Sequence, residues 1–500
     1  MALRTIESKL AVASLNTKDR IVSRKPYYGD VVVVGFAELT PHGDAFQTRQ
    51  AMLEGKSAPV KMMKSAEDPK LRNPYTRFYA PLADIYGPGD PVVEKVPSIY
   101  DFLHPNEKDR RKELSYNAAL NIVAGRAAIK HAGLLGDDGQ FFNSEMLQTH
   151  LVAVMMASGY GPADISIDMH EIIKSSGPGR IRPRMATNMF PEQPNYRLIQ
   201  SLGLPGSFPL TLNAACASSS QSIAMAIDKI REGYVVAVAG GVEGVPSLKE
   251  DLVIGAFTAV RALSQRNEYP GACSRPFDDG RDGFLASSGV GAVVLAQRDW
   301  AEKMGLTIYA KINRHHVWND ANAETTQPDS NIQARELTRM LLIDEERGQI
   351  VVPDCIACHA TSTPLGDRTE ISAYKKTFGR LIYKNGSKNG NYDREAIYEY
   401  TPKSATGHML GASGADALNS AVWTAYEGII PPIGNLENPQ AYTSKEKRSP
   451  RFKYEEDVPV DMLEGVNFVV GEPKKLHKPV VLVGNQGFGS HNAYILVEPV

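Results

Sequence analysis

The chain has 500 residues, of which 42% are hydrophobic and 22% charged, and its formal net charge at pH 7 is -2. The lack of a basic excess is unlike nucleic-acid-binding proteins, and no apolar run approaches the roughly 18 residues of a membrane-spanning helix. The length predicts roughly two to four domain-sized units. Four cysteines do not form a disulfide framework in a chain of this size, so a reducing, cytoplasmic setting is expected.

Residues 1–28 are predicted to be an extension ahead of the first strand. Met1 to Pro26 contains six basic residues against Glu7 and Asp19, and it lacks the continuous apolar core of a secretory signal. We expect this segment to be unstructured or to contact a partner. An organelle transit peptide is the alternative that its composition leaves open.

Apolar strand-like runs alternate with helical patterns along the rest of the chain. The first run, Val31–Phe36, consists of four β-branched valines that close on Gly-Phe, as is typical of a strand buried on both faces. Further strands are predicted over Leu151–Met156, Val235–Ala239, Gly289–Ala296, Ile350–Cys355 and Val480–Val483, helices over Leu114–Ala132, Ser218–Glu232 and Ala415–Tyr426, and loops over Lys61–Pro97, Ser175–Pro194 and Tyr383–Arg394. This alternation predicts an α/β layered protein with two halves, residues 29–300 and 301–500.

A cysteine stands at the turn between a short strand pattern and a helix, in Pro209-Leu-Thr-Leu-Asn-Ala-Ala-Cys216-Ala-Ser-Ser-Ser220. A turn of this kind lifts a nucleophile clear of its backbone. The serines are expected to cap the helix, whose positive end would favour the thiolate. A buried structural cysteine is the alternative, and this stretch alone does not decide between the two.

Two histidines lie in turns rich in small and hydroxylated residues. His359 opens HATSTPLGDRTE, in which Thr361 and Thr363 carry hydroxyl groups suited to binding a ligand's amides. His408 lies in KSATGHMLGASGA, and a third turn, GFGSHN (487–492), would let backbone N–H groups approach a ligand closely. A lone histidine is more often structural than catalytic, but two in such similar turns favour a catalytic site.

A competing motif overlaps the first of these turns. Cys355-Ile-Ala-Cys358-His359 matches the pattern of covalent c-type haem attachment, which requires export to an oxidising compartment. The segment instead ends a strand pattern and no export signal precedes it. No second Cys/His pair follows at zinc-ligand spacing. The two cysteines are therefore predicted to be buried strand residues, and no metal site is predicted.

With these motifs in this order, the chain resembles the elongating β-ketoacyl-acyl-carrier-protein synthases, which are condensing enzymes of the thiolase fold. The segments that carry the resemblance are VVVVGFAELTPHGD, AACASSSQS, RALSQRNEYPGACSRPFDDGRDGF, HATSTPLGDRTE, KSATGHMLGASGA, IIPPIGNLENP and GFGSHN. The resemblance implies a duplicated αβαβα layered fold, a homodimer, and substrates carried on the phosphopantetheine of acyl carrier protein. The implied reaction joins an acyl-cysteine to malonyl carrier protein by decarboxylative Claisen condensation, without a cofactor, in fatty-acid or polyketide-like biosynthesis.

The resemblance also implies roles for individual residues. Cys216 would be the acyl-accepting nucleophile, and His359 and His408 would drive decarboxylation and stabilise the enolate. Lys403 would support that site, and Glu370 would join its hydrogen-bond network or bind substrate. The remaining implied residues are Phe488 as gate and, with Cys216, backbone donor of the oxyanion hole, Thr361 and Thr363 at the pantetheine arm, Phe257 in the acyl pocket, and Arg261 at the carrier protein.

One departure from the family pattern supports an alternative function. The family often has an acidic residue where this chain has Ser287-Ser-Gly-Val-Gly291. A chain-length or scaffold partner that has lost turnover is therefore the alternative. The sequence does not define the acyl substrate, nor does it separate primary fatty-acid synthesis from a specialised pathway.

Overall fold

The computed structural model describes residues 24–62, 76–80, 114–135, 149–244, 250–321, 326, 328–344, 349–384, 397–440 and 466–500. Most of the predicted extension and most of the segment predicted as a loop over 61–97 lie outside the described residues, as do residues 385–394 of the third predicted loop.

A mixed sheet runs through both parts of the chain. Its strands are β1 (Val31–Thr40), β2 (Val152–Ser158), β3 (Phe208–Leu210), β4 (Val236–Glu243), β5 (Gly289–Gln297), β6 (Ala310–Asn319), β7 (Cys355–Ala357), β8 (Ile397–Tyr400), β9 (Val466–Phe468), β10 (Val481–Gly487) and β11 (His491–Glu498). Their order across the sheet is β9-β8-β7-β10-β11-β6-β1-β5-β4-β2-β3. Short pairings lie outside this path: Gly43–Asp44 with β1, Lys61–Met62 with Phe78–Tyr79, Leu342–Asp344 with Gln349–Ile350, and Ile429–Ile430 with Lys474–Lys475.

The strands β1–β5 and β6–β11 repeat one pairing scheme. In each set the first strand pairs antiparallel with the last, and the last pairs antiparallel with the strand before it. That strand in turn pairs in parallel with the second strand of the set. The two sets meet where β1 pairs antiparallel with β6. This repetition confirms the predicted duplicated α/β fold, whereas the exact half boundaries, 29–300 and 301–500, stay a prediction.

Helices cover the sheet and also fill the space between its two sets of strands. They are α1 (Ala45–Leu53), α2 (Tyr116–His131), α3 (Ala163–Ser176), α4 (Pro183–Asn188), α5 (Gln193–Leu202), α6 (Ser218–Arg231), α7 (Glu250–Ala259), α8 (Arg298–Lys303), α9 (Ser330–Leu341), α10 (Pro364–Lys384), α11 (Lys403–Thr406) and α12 (Ser413–Glu427). Helix α6 contacts β4 and also β11, and α12 contacts β10 and also β5, so each packs on both sets of strands. These two helices form the central layer. No helix in the described residues is long and apolar enough to cross a membrane.

The starts of α6 and α12 touch each other. The Ser219 hydroxyl accepts a hydrogen bond from the Ala415 backbone N–H at 3.0 Å. A Cβ on Gly414 would lie 2.6 Å from the backbone nitrogen of Ser220, so only glycine permits this approach. Small residues at both helix starts thus bring together the segments that precede them, which contain Cys216 and His408.

Two predicted elements differ from the structure. The segment Ser175–Pro194, predicted as a loop, contains α4 and the start of α5; Pro183 and Pro194 stand in the first turns of these helices, where a missing N–H costs nothing. The strand predicted over Ile350–Cys355 joins the large sheet only from Cys355, because Pro353 has no N–H to donate to a ladder.

Candidate active site

Cys216 lies in a strained turn between β3 and α6. The preceding residue, Ala215, has a φ of 49°, a left-handed conformation that non-glycine residues rarely adopt. The Ser218 hydroxyl accepts from the Ala214 N–H at 2.9 Å and donates to the Ala215 carbonyl at 2.6 Å. The prediction that the serines cap α6 is therefore wrong: Ala217 occupies the cap position without a side-chain bond, and Ser218 braces the turn instead.

His408 contacts the sulfur of Cys216 directly. Its Nε2 lies 3.0 Å from Sγ, and its Nδ1 lies 2.9 Å from the Ser413 hydroxyl at the start of α12. The backbone of His408 is bonded on both sides, its N–H donating to the Leu285 carbonyl at 2.8 Å and its carbonyl accepting from the Ser287 N–H at 3.0 Å. The ring is thus fixed by backbone and side-chain contacts together.

His359 shares the site, with its ring 5.7 Å from that of His408 and nearly perpendicular to it, at 89°. Its Nδ1 accepts from the backbone N–H of Gln486 at 3.2 Å, so Nε2 carries the hydrogen of the neutral ring. Glu370 accepts from the N–H groups of His359 and Ala360 at 2.8 and 2.7 Å. This carboxyl group holds the turn that presents His359.

A cavity of about 300 Å³ opens onto all three groups. The predicted site residues in its wall are Cys216, Phe257, Arg261, His359, Thr361, Thr363, His408 and Phe488. The hydroxyl oxygens of Thr361 and Thr363 lie 3.1 Å apart. Glu370 and Lys403 lie behind this wall. The grouping of Glu370 with substrate-binding residues is therefore wrong, because it contacts the backbone at His359 rather than the cavity.

An aromatic cluster surrounds the nucleophile. The ring of Phe257 lies 5.0 Å from Phe284, 5.9 Å from Phe488 and 6.3 Å from Tyr160. Phe284 also meets the His408 ring edge-on at 4.9 Å. Sequence reasoning assigned no role to Phe284, although it ends one of the quoted segments, and missed Tyr160, which no motif marks. The apolar wall suits an acyl chain.

The turn that contains Phe488 packs closely against the nucleophile turn. A Cβ on Gly487 would lie 2.5 Å from the Ala214 carbonyl oxygen, so the close contact requires glycine. The backbone N–H groups of Phe488 and Cys216 both act on the sulfur and lower the pKa of the thiol. These are the two donors that the resemblance assigns to the oxyanion hole.

Burial controls the ionisation of the site. It raises the pKa of the Cys216 thiol to about 12, which outweighs the lowering by Lys403 and by the two N–H groups. The expectation that the start of α6 would favour the thiolate of Cys216 is therefore wrong, because burial has the larger effect on this thiol. Burial, with the charge of Lys403 second, also holds the pKa values of His359 and His408 well below their usual range. Both imidazoles are neutral at neutral pH.

Lys403 is itself almost fully buried. Burial lowers the pKa of its ammonium group, while the carboxyl groups of Asp416 and Glu370 oppose that shift. Its Nζ has no hydrogen-bond partner within the part of the chain that the structure describes. The charge therefore acts on the two histidines and on Cys216 through space.

The two cysteines of the haem-like motif have a structural role and do not line the cavity. Cys355 begins β7 and Cys358 follows it, and both are buried free thiols, as predicted. Among the residues that the structure describes, no group of three or more His, Cys, Asp or Glu side chains is arranged to hold a metal ion.

Comparisons with known proteins agree with this architecture. Residues 29–301 match the family model "Beta-ketoacyl synthase, N-terminal domain", and residues 309–437 match "Beta-ketoacyl synthase, C-terminal domain". A 3-oxoacyl-[acyl-carrier-protein] synthase 2 of Synechocystis is 28% identical over 467 residues, which cover 92% of this chain and 96% of that protein. A putative mitochondrial 3-oxoacyl-[acyl-carrier-protein] synthase of Schizosaccharomyces pombe is 27% identical, covering 81% of this chain and 88% of that protein.

Solved structures agree on the fold. A β-ketoacyl synthase from Burkholderia phymatum superposes with a TM-score of 0.73 at 23% identity, covering 94% of this chain and all of that one. A ketosynthase complex, AntDE:AntF, superposes with a TM-score of 0.70 at 19% identity, covering 95% of this chain and all of that one.

The layered fold and a buried cysteine in contact with a histidine are features of a thiolase-fold condensing enzyme. The family model that covers more than half of the chain makes the assignment definite: this protein belongs to the beta-ketoacyl synthase family. It is an enzyme of the acyltransferase class that forms carbon–carbon bonds. The predicted family and enzyme class are thereby confirmed.

The ionisation of Cys216 predicts its reactivity in the absence of substrate. Because burial raises the pKa of this thiol to about 12, the rate of its alkylation by iodoacetamide should rise about tenfold per pH unit between pH 6 and 9, without a plateau. Mass spectrometry of the Cys216 peptide measures that rate. In denaturant the same peptide should level off near pH 8.5, the ordinary thiol pKa. A plateau below about pH 8 in the folded protein would show that a stabilised thiolate is present.

Proposed function

We propose that Cys216 takes an acyl group from a carrier-protein thioester and that His359 and His408 generate the attacking enolate from a malonyl carrier-protein thioester. The observation that carries the proposal is the 3.0 Å contact between His408 Nε2 and Cys216 Sγ inside a cavity that also contains His359. His408 thus contacts the nucleophile and also lines the cavity in which a second substrate would lie.

Acyl transfer comes first. The sulfur of Cys216 attacks the thioester carbonyl, and its proton passes through His408 Nε2 to the departing pantetheine sulfur as the carbon–sulfur bond of the donor breaks. Negative charge on the carbonyl oxygen is met by the backbone N–H groups of Cys216 and Phe488. Because burial keeps the thiol protonated, this transfer requires the histidine contact.

Condensation follows at the same place. The malonyl thioester loses carbon dioxide, and the electron pair moves onto its carbonyl oxygen, where N–H groups of the neutral His359 and His408 rings donate hydrogen bonds. The enolate carbon then attacks the acyl-cysteine carbonyl, the Cys216 thiolate departs, and it takes a proton from solvent. The electron pair of the new carbon–carbon bond comes from the bond broken in decarboxylation. We therefore propose that the reaction uses no cofactor.

Substitutions should separate these half-reactions. Cys216→Ala should abolish covalent acylation, whereas Cys216→Gln should retain malonyl decarboxylation, which does not use the thiol. His359→Ala and His408→Ala should each slow decarboxylation about 10²- to 10³-fold, the usual effect of losing one donor to an oxyanion. Acylation is followed by protein mass and decarboxylation by release of carbon dioxide.

The competing explanation is that the histidines only fill polar pockets beside Thr361 and Thr406. In that case His359→Ala and His408→Ala would lower thermal stability and depress both half-reactions in parallel. Wild-type decarboxylation in either folded variant would remove that histidine from the proposed site.

Acyl carrier protein is the proposed carrier of both substrates. Arg261 is exposed and contributes to the cavity mouth, where a cation can meet an acidic partner. The AntDE:AntF complex is described as a ketosynthase bound to its acyl carrier protein, and it shares the fold of this chain.

Reversing the charge of Arg261 tests this docking. Arg261→Glu should raise the KM for malonyl carrier protein up to about fivefold, since an exposed ion pair contributes up to about 1 kcal/mol. The KM for a malonyl-pantetheine thioester should not change. Lys303→Glu, on α8 and outside the cavity wall, is the matched control. Equal effects of Arg261→Glu on both substrates would place the arginine in substrate binding instead.

A homodimer is also proposed, with β3 as the interface strand. This three-residue strand ends the sheet, and pairing it with a second copy would cover its open edge. Light scattering should give twice the chain mass of 54.6 kDa, down to nanomolar concentration. A fully active monomer would contradict the proposal.

The proposed compartment is the cytoplasm, where the four free thiols stay reduced. The Schizosaccharomyces pombe relative is named as mitochondrial. The basic N-terminal segment of this chain is therefore also a candidate targeting sequence.

A further inference from the structure

The two active-site histidines differ in the group that faces Nδ1. His359 Nδ1 faces the backbone N–H of Gln486, which only donates, so that ring is confined to the tautomer with hydrogen on Nε2. His408 Nδ1 faces the Ser413 hydroxyl at 2.9 Å, and a hydroxyl both donates and accepts. His408 is thus supported with its hydrogen on either nitrogen.

We propose that Ser413 is a positioning residue that allows His408 to change tautomer between acyl transfer and decarboxylation. The inference rests on the proposed function and extends it. In acyl transfer, Nδ1–H donates to Ser413 Oγ, and the bare Nε2 receives the thiol proton of Cys216 across 3.0 Å before passing it to the leaving sulfur. In decarboxylation, the Ser413 O–H donates to Nδ1, and Nε2–H faces the enolate oxygen.

Proton balance is kept at each step. During acyl transfer the ring gains one proton at Nε2 and loses the same proton to the pantetheine sulfur. Between the half-reactions the neutral ring gains a proton from water on one nitrogen and loses one to water from the other. The Ser413 hydroxyl rotates to match, so Nδ1 of His408 keeps a hydrogen-bond partner in both tautomers.

The contact between Ser413 Oγ and His408 Nδ1 is buried, so water cannot replace the hydroxyl as the partner of Nδ1. Ser413 is fully buried at the first turn of α12, and His408 is only 2% exposed. The hydroxyl is the one partner of Nδ1 among the hydrogen bonds of the described residues. Without it, an Nδ1–H would be a buried unpaired donor, which is more costly than a bare nitrogen lone pair. Removing the hydroxyl should therefore trap the tautomer with hydrogen on Nε2.

The test is Ser413→Ala with the two half-reactions measured separately. We expect acylation of Cys216 to slow about tenfold, because the base form of His408 loses its support, and decarboxylation to stay within about twofold of wild type. Ser413→Thr restores a hydroxyl and should restore acylation. Ser420→Ala, which removes another buried serine hydroxyl from α12, is the matched control and should leave both rates unchanged.

Nitrogen NMR of ¹⁵N-histidine-labelled protein gives a reading that does not depend on turnover. His408 of the wild-type protein should show shifts averaged between two neutral tautomers, and Ser413→Ala should show hydrogen on Nε2 alone. A single Nε2–H tautomer in wild type would overturn the proposal. So would wild-type acylation in Ser413→Ala, or a parallel fall of both rates with thermal stability that Ser413→Thr does not reverse. Failure of the proposed function gives a different result, because the wild-type protein would then perform neither half-reaction. The ¹⁵N shifts of His408 would still decide the role of Ser413.

Discussion

The site depends on how closely the first turns of α6 and α12 approach each other. Cys216 lies two residues before the start of α6 and His408 five residues before the start of α12, so the separation of the helix starts sets the distance between sulfur and imidazole. Gly414 removes the Cβ that would collide with the backbone of Ser220. Small residues in AACASSSQS and KSATGHMLGASGA therefore have a packing reason as well as a chemical one.

Desolvation is the second constraint on the site, because it sets the protonation states of the cysteine and the two histidines. Burying a thiol and two imidazoles favours their neutral forms, and Lys403 further opposes protonation of the rings. A neutral ring keeps one N–H to donate to an enolate and one bare nitrogen that can accept a proton. The same burial keeps the thiol protonated, so acyl transfer needs a proton acceptor within contact distance. His408 meets both demands because its second nitrogen faces a hydroxyl group.

Local patterns in the sequence predicted much of this structure, for reasons that particular elements show. The valine-rich run Val31–Phe36 forms a buried strand, and the helix predicted over Ser218–Glu232 is α6, whose Ile223, Ile227 and Ile230 are buried. The turns carrying Cys216, His359 and His408 were visible because small residues cluster there. The roles of all three were implied by family resemblance.

Other features depend on contacts that no local pattern encodes. The partner of Cys216 is 192 residues away in sequence, and Tyr160 reaches the aromatic cluster from a turn without a motif. The serines at the start of α6 were expected to cap it, yet the hydroxyl oxygen of Ser218 accepts from the Ala214 N–H and its hydrogen is donated to the Ala215 carbonyl. The charge state of Cys216 was mispredicted because a helix terminus is visible in sequence and the depth of burial is not.

The alternative of an inactive scaffold partner rested on the missing acidic residue at 287–291, and the structure weakens that argument. Glu38 on β1 stands opposite Gly291 of β5, so the adjacent strand buries a carboxyl group beside this segment. Asn419 of α12 donates to it at 3.2 Å, and burial together with Asp416 raises the pKa of Glu38. His408 is held through the backbone of Ser287, which needs no acidic side chain. The parts that turnover would need are all present in this chain: the strained turn at Cys216, the contact of His408 with its sulfur, and the glycine that lets the two helices approach.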